Sequence, residues 1–393
     1  MIPCCFLKNF FWPWGLYFFL VPLGLPVLEK FVLSDAVGIV ILLFGFIAAC
    51  CGKMPDLGKT DGYFIFFVAC SLMGAEVTGV PKFYLFELSA VLFLFACFKA
   101  VSEFLKTREY LTRACVLSGN AMLLVMGINT LVVALHSPDT IDLFASFFTS
   151  EKLSWPFQFS GQLGLSLTIL FPLCICSRPF SSVQRMLIYV MFVVNTGAVG
   201  SRSVFWLALA EILYAEFFMY FSRSVYRNLL KAAMLFWVIG GLIVFLGNEF
   251  SFQRSLGQIE EIPLLFDETR VVILRDAVRT WSVWIQGYGL GCFKAFHEME
   301  IHNTPFSLLV ETGLGGFVAA MCFLFSIVAT FWQGAKKEKS LLTSAIVLSL
   351  LAIIYHSMFR NLLTNRTCWF VLSLCYSFKY FQGDKASVDM TGR

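Results

Sequence analysis

His302 is followed by Asn303, Thr304 and Pro305 and then by a long apolar run, so a titratable imidazole stands at the mouth of a helix. An imidazole changes charge near neutral pH, and a ring placed there can accept a proton while facing water and lipid headgroups. Pro305 suits a first helical position with Asn303 or Thr304 as the cap, and the positive end of that helix disfavours imidazolium, which favours a neutral base. Two arginines extend the chemistry. Arg202 sits in Gly200-Ser201-Arg202-Ser203, a very short turn between apolar runs, and Arg270 opens a helical pattern in a longer polar stretch. A guanidinium pairs with a diphosphate through a planar fork, where an ammonium acts only as a point charge. A base and such guanidiniums are the parts needed to deprotonate a hydroxyl and to neutralise a departing phosphate. Context has to carry this, because a lone histidine is more often structural and an outer arginine more often snorkels to headgroups. His136, His297 and His356 have no comparable context and are read as ordinary residues.

The elements that must position these groups are membrane helices. The chain has 393 residues, of which 59% are hydrophobic and 14% charged, and its mean hydropathy is +0.79. Soluble domains carry about 25% charge, so the composition specifies an all-α polytopic membrane protein. A formal charge of +4 is too small to suggest nucleic acid. The 13 cysteines are scattered, many in apolar runs as at Cys50-Cys51 and Cys174-Ile175-Cys176, without metal-ligand spacing to histidine. They read as buried thiols, and neither a metal nor a cofactor is expected. Residues 1–10 lack a basic region followed by a cleavage site, so the first apolar run reads as a retained helix.

Hydropathy gives twelve candidate spans, near 10–28, 32–51, 62–80, 83–101, 111–135, 159–177, 185–200, 203–222, 229–247, 304–332, 341–359 and 367–381, the seventh short and weak. With both termini cytoplasmic, most of the 29 Lys and Arg fall on the inner side, Lys99 among them. The positive-inside rule supports that orientation. The outer side then holds Arg202, Arg254, Arg270, Arg275, Arg279, Arg360 and Arg366.

Residues 248–303 form the one large outer loop. Asp267 can cap a helix running to Gln286, with Gly287 in the left-handed position that ends it. Arg270, Ile273, Leu274, Ala277 and Trp281 share one face, Arg275 and Arg279 another, and Trp281 with Trp284 suggests a helix lying at the membrane interface. Gly287-Tyr288-Gly289-Leu290-Gly291 reads as a flexible turn, and Gly313 and Gly316 as residues permitting close helix contact. Arg360, Asn361 and Arg366 lie in the last outer turn.

This combination resembles the bacterial O-antigen ligase and polymerase family. The likeness covers roughly the last half of the chain. It rests on Ser201-Arg202 at the start of a span, Arg270 opening the loop helix ahead of Trp281 and the Gly287–Gly291 turn, and His302-Asn303 followed after nine residues by Gly313-x-x-Gly316. The family's Gly-x-x-Asn-Pro-Asn-like stretch has only Phe159-Ser160-Gly161-Gln162 as a counterpart, and the outer loop is short for a ligase. The resemblance implies a metal-independent glycosyltransferase of the inner membrane with a GT-C-like fold and a periplasmic active site. Its donor would be a glycan on undecaprenyl diphosphate. Its acceptor would be lipid A-core for a ligase, or the next lipid-linked repeat for a polymerase, with membrane lipids around both. His302, Arg270 and Arg202 would be catalytic, and Asn303, Arg275, Arg279, Arg360 and Arg366 would bind substrate. The His-Asn spacing leans toward the ligase.

Two other readings stand beside this one. A lipid-linked glycan transporter or flippase would suit twelve spans, and Glu76, Glu87, Glu211 and Glu216 fall inside apolar runs where buried acids mark transport paths. The paired broken helices and repeated halves of such transporters are not visible in the sequence. The third reading keeps the transfer chemistry and makes a protein Ser or Thr the acceptor.

Overall fold

The structure is a computed structural model that describes residues 11–28, 31–50, 58–78, 81–135, 148–149, 152–157, 160–176, 178–220, 240, 285–293, 301, 303–336 and 340–382. It is mostly helical. The described helices are α1 (Phe11–Leu20), α2 (Leu33–Cys50), α3 (Lys59–Thr78), α4 (Pro81–Phe104), α5 (Arg108–Leu135), α6 (Ser160–Cys176), α7 (Ser182–Ala198), α8 (Arg202–Tyr214), α9 (Thr304–Ala335), α10 (Leu341–Ser357) and α11 (Arg366–Ser377). Two short antiparallel pairs join them, β1 (Pro26–Leu28) with β2 (Phe31–Val32) and β3 (Phe148–Thr149) with β4 (Lys152–Leu153). Tyr84–Phe104, Arg108–Leu135 and Thr304–Ala335 are long and apolar enough to cross a membrane, and Leu33–Leu43, Ser160–Cys176 and Leu341–Ser357 are shorter apolar helices. The chain is thus an all-α, membrane-embedded protein. The run expected as one span over 10–28 is helical only as far as Leu20. Pro22 and Pro26 supply no backbone N–H and Gly24 takes a φ of +53°, so the helix stops and the chain turns into β1.

The described residues fall into two compact units. In the first, α6 is uncharged along its whole length and buried from Leu163 to Ile175, as expected of a helix that is apolar all round. Gly164 lets α8 approach closely, since a Cβ there would lie 2.8 Å from Val204. Phe171 of α6 stacks on Phe192 of α7 at 3.7 Å. A capping box at Ser181 and Gln184 starts α7. At the far end of these helices Arg185 Nε donates to Glu216 Oε1 at 2.7 Å, and the Tyr189 hydroxyl donates to the same oxygen at 2.8 Å. The Arg185 guanidinium also lies 4.1 Å from the centre of the Tyr220 ring, whose hydroxyl donates to the Ile175 carbonyl. Glu216, one of the acids read inside an apolar run, is thereby an ion-pair partner that ties α7 to the π-helical turn Ala215–Met219 after α8.

In the second unit α3 lies along α9. Cβ atoms on Gly315 and Gly316 would come within 3.2 Å and 3.3 Å of Cys70, so small residues here do permit close helix contact. Phe64, Phe95, Phe98, Phe323 and Trp369 form one aromatic cluster joining α3, α4, α9 and α11. Lys99 was counted with the inner flanking charges, but it is buried in α4, where its ammonium bonds Asp61 of α3 at 2.8 Å. The same Asp61 oxygen accepts the Gly58 N–H and so caps α3. Hydropathy places a lysine near a span end by default; the partner 38 residues earlier is what draws this one inward.

Candidate functional site

The mouth of α9 is the best-defined polar region of the second unit. Asn303 is extended (φ −152°, ψ 114°) and its side chain accepts from Phe306 N at 2.9 Å, with Pro305 in the first turn. The cap expected from the sequence is therefore present. The turn after α10 is fastened to it by hydrogen bonds. Asn303 Nδ2 donates to the Met358 carbonyl at 3.0 Å, Thr304 Oγ1 donates to the Arg360 carbonyl at 2.6 Å, and Leu362 N donates to Thr304 Oγ1 at 3.0 Å. Asn361 Nδ2 donates to Ser307 Oγ at 3.1 Å. Arg360 is thus held at the first turn of α9, and Arg366 opens α11 directly after its cap, Asn365. Two of the expected substrate-binding residues, Asn303 and Arg360, come together in this way. His302, Arg270, Arg275 and Arg279 lie outside the described residues.

Two turns farther into α9 the helix breaks. Gly313 has φ 67° and ψ −179°, a conformation essentially confined to glycine. In an unbroken helix the Val310 and Glu311 carbonyls would accept from Leu314 and Gly315. Here Val310 accepts from Tyr288 N at 3.0 Å and Glu311 from Gly289 N at 2.7 Å. Gly287 has φ 76°, the left-handed value expected of a residue that ends the loop helix, and Ile285 and Gln286 before it are helical. A Cβ at 287 would sit 2.5 Å from both the Glu311 oxygen and the Gly313 nitrogen, and one at 74 in α3 would sit 2.8 Å from Gly289 N. The glycine turn, the helix break and α3 therefore form a joint closed backbone to backbone. Gly313 was read as a site of helix contact; it is a break, because the turn takes the carbonyls that the helix gives up. Beside the joint Phe293, Ile301 and Val310 form a buried cluster with Tyr288 and Phe306 packed on it, walling the mouth with apolar surface.

Arg202, in the first unit, begins α8 and is half-buried. Ser201 is extended (φ −122°, ψ 115°) but makes no side-chain cap hydrogen bond, and its hydroxyl lies 3.3 Å from that of Ser203. The stem of Lys152 lies on Gly200, whose φ is +68°. The start of α8 thus keeps backbone N–H donors, two hydroxyls and a guanidinium together, a set suited to an anion.

Sequence reasoning named Thr304 only as an alternative cap and passed over Ser307, although the hydroxyls of both hold the last turn; it also left as an ordinary residue His356, which is fully buried and whose carbonyl accepts the Phe359 N–H at the start of that turn. A hydroxyl in the first helical turn was the available signal for Thr304; His356 had none, because its role depends on a turn that hydropathy does not describe. Comparison with known families returns no match, and no curated protein matches the sequence.

Proposed function

We propose that the chain is a membrane glycosyltransferase of the O-antigen ligase kind, moving a glycan from undecaprenyl diphosphate to lipid A-core on the periplasmic face. In this reading twelve spans with both termini in the cytoplasm make up a GT-C-like fold in the bacterial inner membrane. The acceptor hydroxyl oxygen attacks the anomeric carbon as His302 takes its proton. The bond from that carbon to the diphosphate oxygen breaks, and the electron pair leaves with the lipid diphosphate. Arg202 and Arg270 neutralise the charge that develops there. A diphosphate is already a good leaving group, so two guanidiniums can serve where other transferases use a metal. Asn303, Arg275, Arg279, Arg360 and Arg366 bind substrate.

The observation that carries the reading is the joint. The Gly287–Gly291 turn and the Gly313 break are separate pieces of the sequence resemblance, and they bond to each other. The helical residues Ile285 and Gln286, which follow Arg270 in the sequence, enter one side of that joint, and α9, which follows His302 in the sequence, enters the other. A further support is the anion-suited start of α8 at Arg202.

The test is the banding of lipopolysaccharide in a host lacking the gene, supplied with the wild-type chain or with His302→Ala or Arg270→Ala variants shown to be inserted. Wild-type chain restoring long-chain material, with both variants leaving full-length polymer on the lipid carrier, is the expected result. Core carrying a single repeat in the deleted host would reassign the chain as a polymerase. Full glycan transfer by both variants would sink the assignment of the base and the guanidinium.

A further inference from the structure

We propose that Glu211 is an intramembrane cation site in the first unit, occupied by a proton or a sodium ion. This stands whether or not the chain transfers glycans.

Glu211 lies in α8, nine residues beyond Arg202. At 1.5 Å per residue that is roughly 13 Å along the helix from its mouth, a depth inside an apolar layer about 30 Å thick on the span expected from hydropathy over 203–222. The residue is 1% exposed. Both carboxyl oxygens are buried, and neither has a hydrogen-bond partner among the described residues. A carboxylate in an apolar interior is costly unless something neutralises it, so intramembrane acids pair with a cation or mark the path of one.

Among the described residues, the helices packed against α8 offer no such partner. α6 carries no Asp, Glu, Lys, Arg or His from Ser160 to Cys176. Its titratable groups are the thiols of Cys174 and Cys176. α7 carries Arg185 and Tyr189, and both are bonded to Glu216 Oε1. The charged groups on α8 itself and its π-helical turn are Arg202, at the far mouth, and Glu216, already paired. Among the described residues, two acids five residues apart thus have opposite surroundings: Glu216 accepts from Arg185 and Tyr189, and neither oxygen of Glu211 has a hydrogen-bond partner.

The helix that carries Glu211 also departs from regularity close by. α6 and α8 touch at Gly164 and Val204 toward one end, and Tyr220 bonds Ile175 toward the other. On the α8 side the regular helix passes into its π-helical turn at Ala215, one turn beyond Glu211, and such turns gather at functional sites.

Infrared spectroscopy of the full-length chain in vesicles separates the occupants. Wild-type protein in sodium-free buffer is compared with Glu211→Gln. A protonated-carboxyl C=O stretch present only in the wild type assigns a proton. Replacement of that band by carboxylate bands as choline is exchanged for sodium, with half-change at millimolar concentration, assigns a sodium ion. Dicyclohexylcarbodiimide gives a second readout that needs no variant. The carboxyl O–H proton moves to a carbodiimide nitrogen and the carboxyl oxygen bonds the central carbon, giving an adduct that is heavier by one whole reagent. Glu211 is expected to be labelled at least tenfold more than Glu216, with sodium suppressing the labelling if sodium is the occupant. Carboxylate bands alone, insensitive to sodium and with no adduct at Glu211, would overturn the proposal.

Discussion

The mouths of α8 and α9 both carry residues suited to transfer chemistry, and they are built in opposite ways. At α9 the cap is closed, with Asn303 bonding Phe306 N and Asn303, Thr304 and Ser307 tied to the turn after α10. At α8 the residue in the cap position makes no side-chain cap bond, and the Ser201 and Ser203 hydroxyls lie together beside Arg202 in the chain. A closed mouth fixes the position of what stands at it, which is what a base needs. An open one keeps hydrogen-bond capacity for a ligand, which is what a diphosphate needs. In the proposed reaction this difference suits one mouth to positioning and the other to anion binding.

The largest expected effect comes from Arg202→Ala, which is predicted to lower glycan transfer by roughly 10²–10³-fold, the scale of losing one transition-state charge donor. Thermal stability of the purified chain should hardly change. Arg202→Lys should recover only part of the activity, since an ammonium lacks the planar fork. Parallel loss of stability and activity would make the α8 mouth structural and erase the contrast.

Gly313→Ala comes next. Forcing a side chain into that conformation costs about 1–3 kcal/mol, and the new Cβ also meets the Ile285 carbonyl. Unfolding in detergent should show this, whereas Gly127→Ala, which meets nothing within 4 Å, should be neutral or mildly stabilising. Equal behaviour of the two variants would argue that the joint does not hold α9.

Asn303→Ala should cost about 1 kcal/mol for the lost cap, again read as thermal stability. The corresponding change at α8, Ser201→Ala, should cost under about 0.5 kcal/mol because no cap bond is lost. It should instead raise the donor KM severalfold. A stability loss at Ser201 matching that at Asn303 would show the two mouths to be alike.

The local parts of this architecture were legible in the sequence. The Asn303 cap, Pro305 in the first turn and the left-handed Gly287 each depend on a few consecutive residues, and each was readable from them. The membrane class followed from composition. What stayed hidden depends on partners distant in the chain. Gly313 in an apolar run looks the same whether it packs against a helix or breaks one, and the Gly287 turn that decides the matter lies 26 residues earlier. Lys99 looked like a flanking charge until Asp61 was found beside it, and Glu211 and Glu216 looked equivalent until Arg185 was seen to serve only one of them. The first span was overestimated because a hydropathy window averages over Pro22, Gly24 and Pro26 without registering that they stop a helix.

The joint at Gly74, Gly289 and Gly313 also sets a timetable. Gly74 is synthesised 239 residues before Gly313, and at about 5–20 residues per second that separates them by roughly 10–50 s. Throughout that interval the small-residue face of α3 is in the membrane without the backbone that will cover it. The nascent chain must therefore leave the Gly74 surface of α3 uncovered until Gly313 has been made. Slowing translation lengthens that exposure, and insertion factors that shield half-assembled helices have a defined surface to protect.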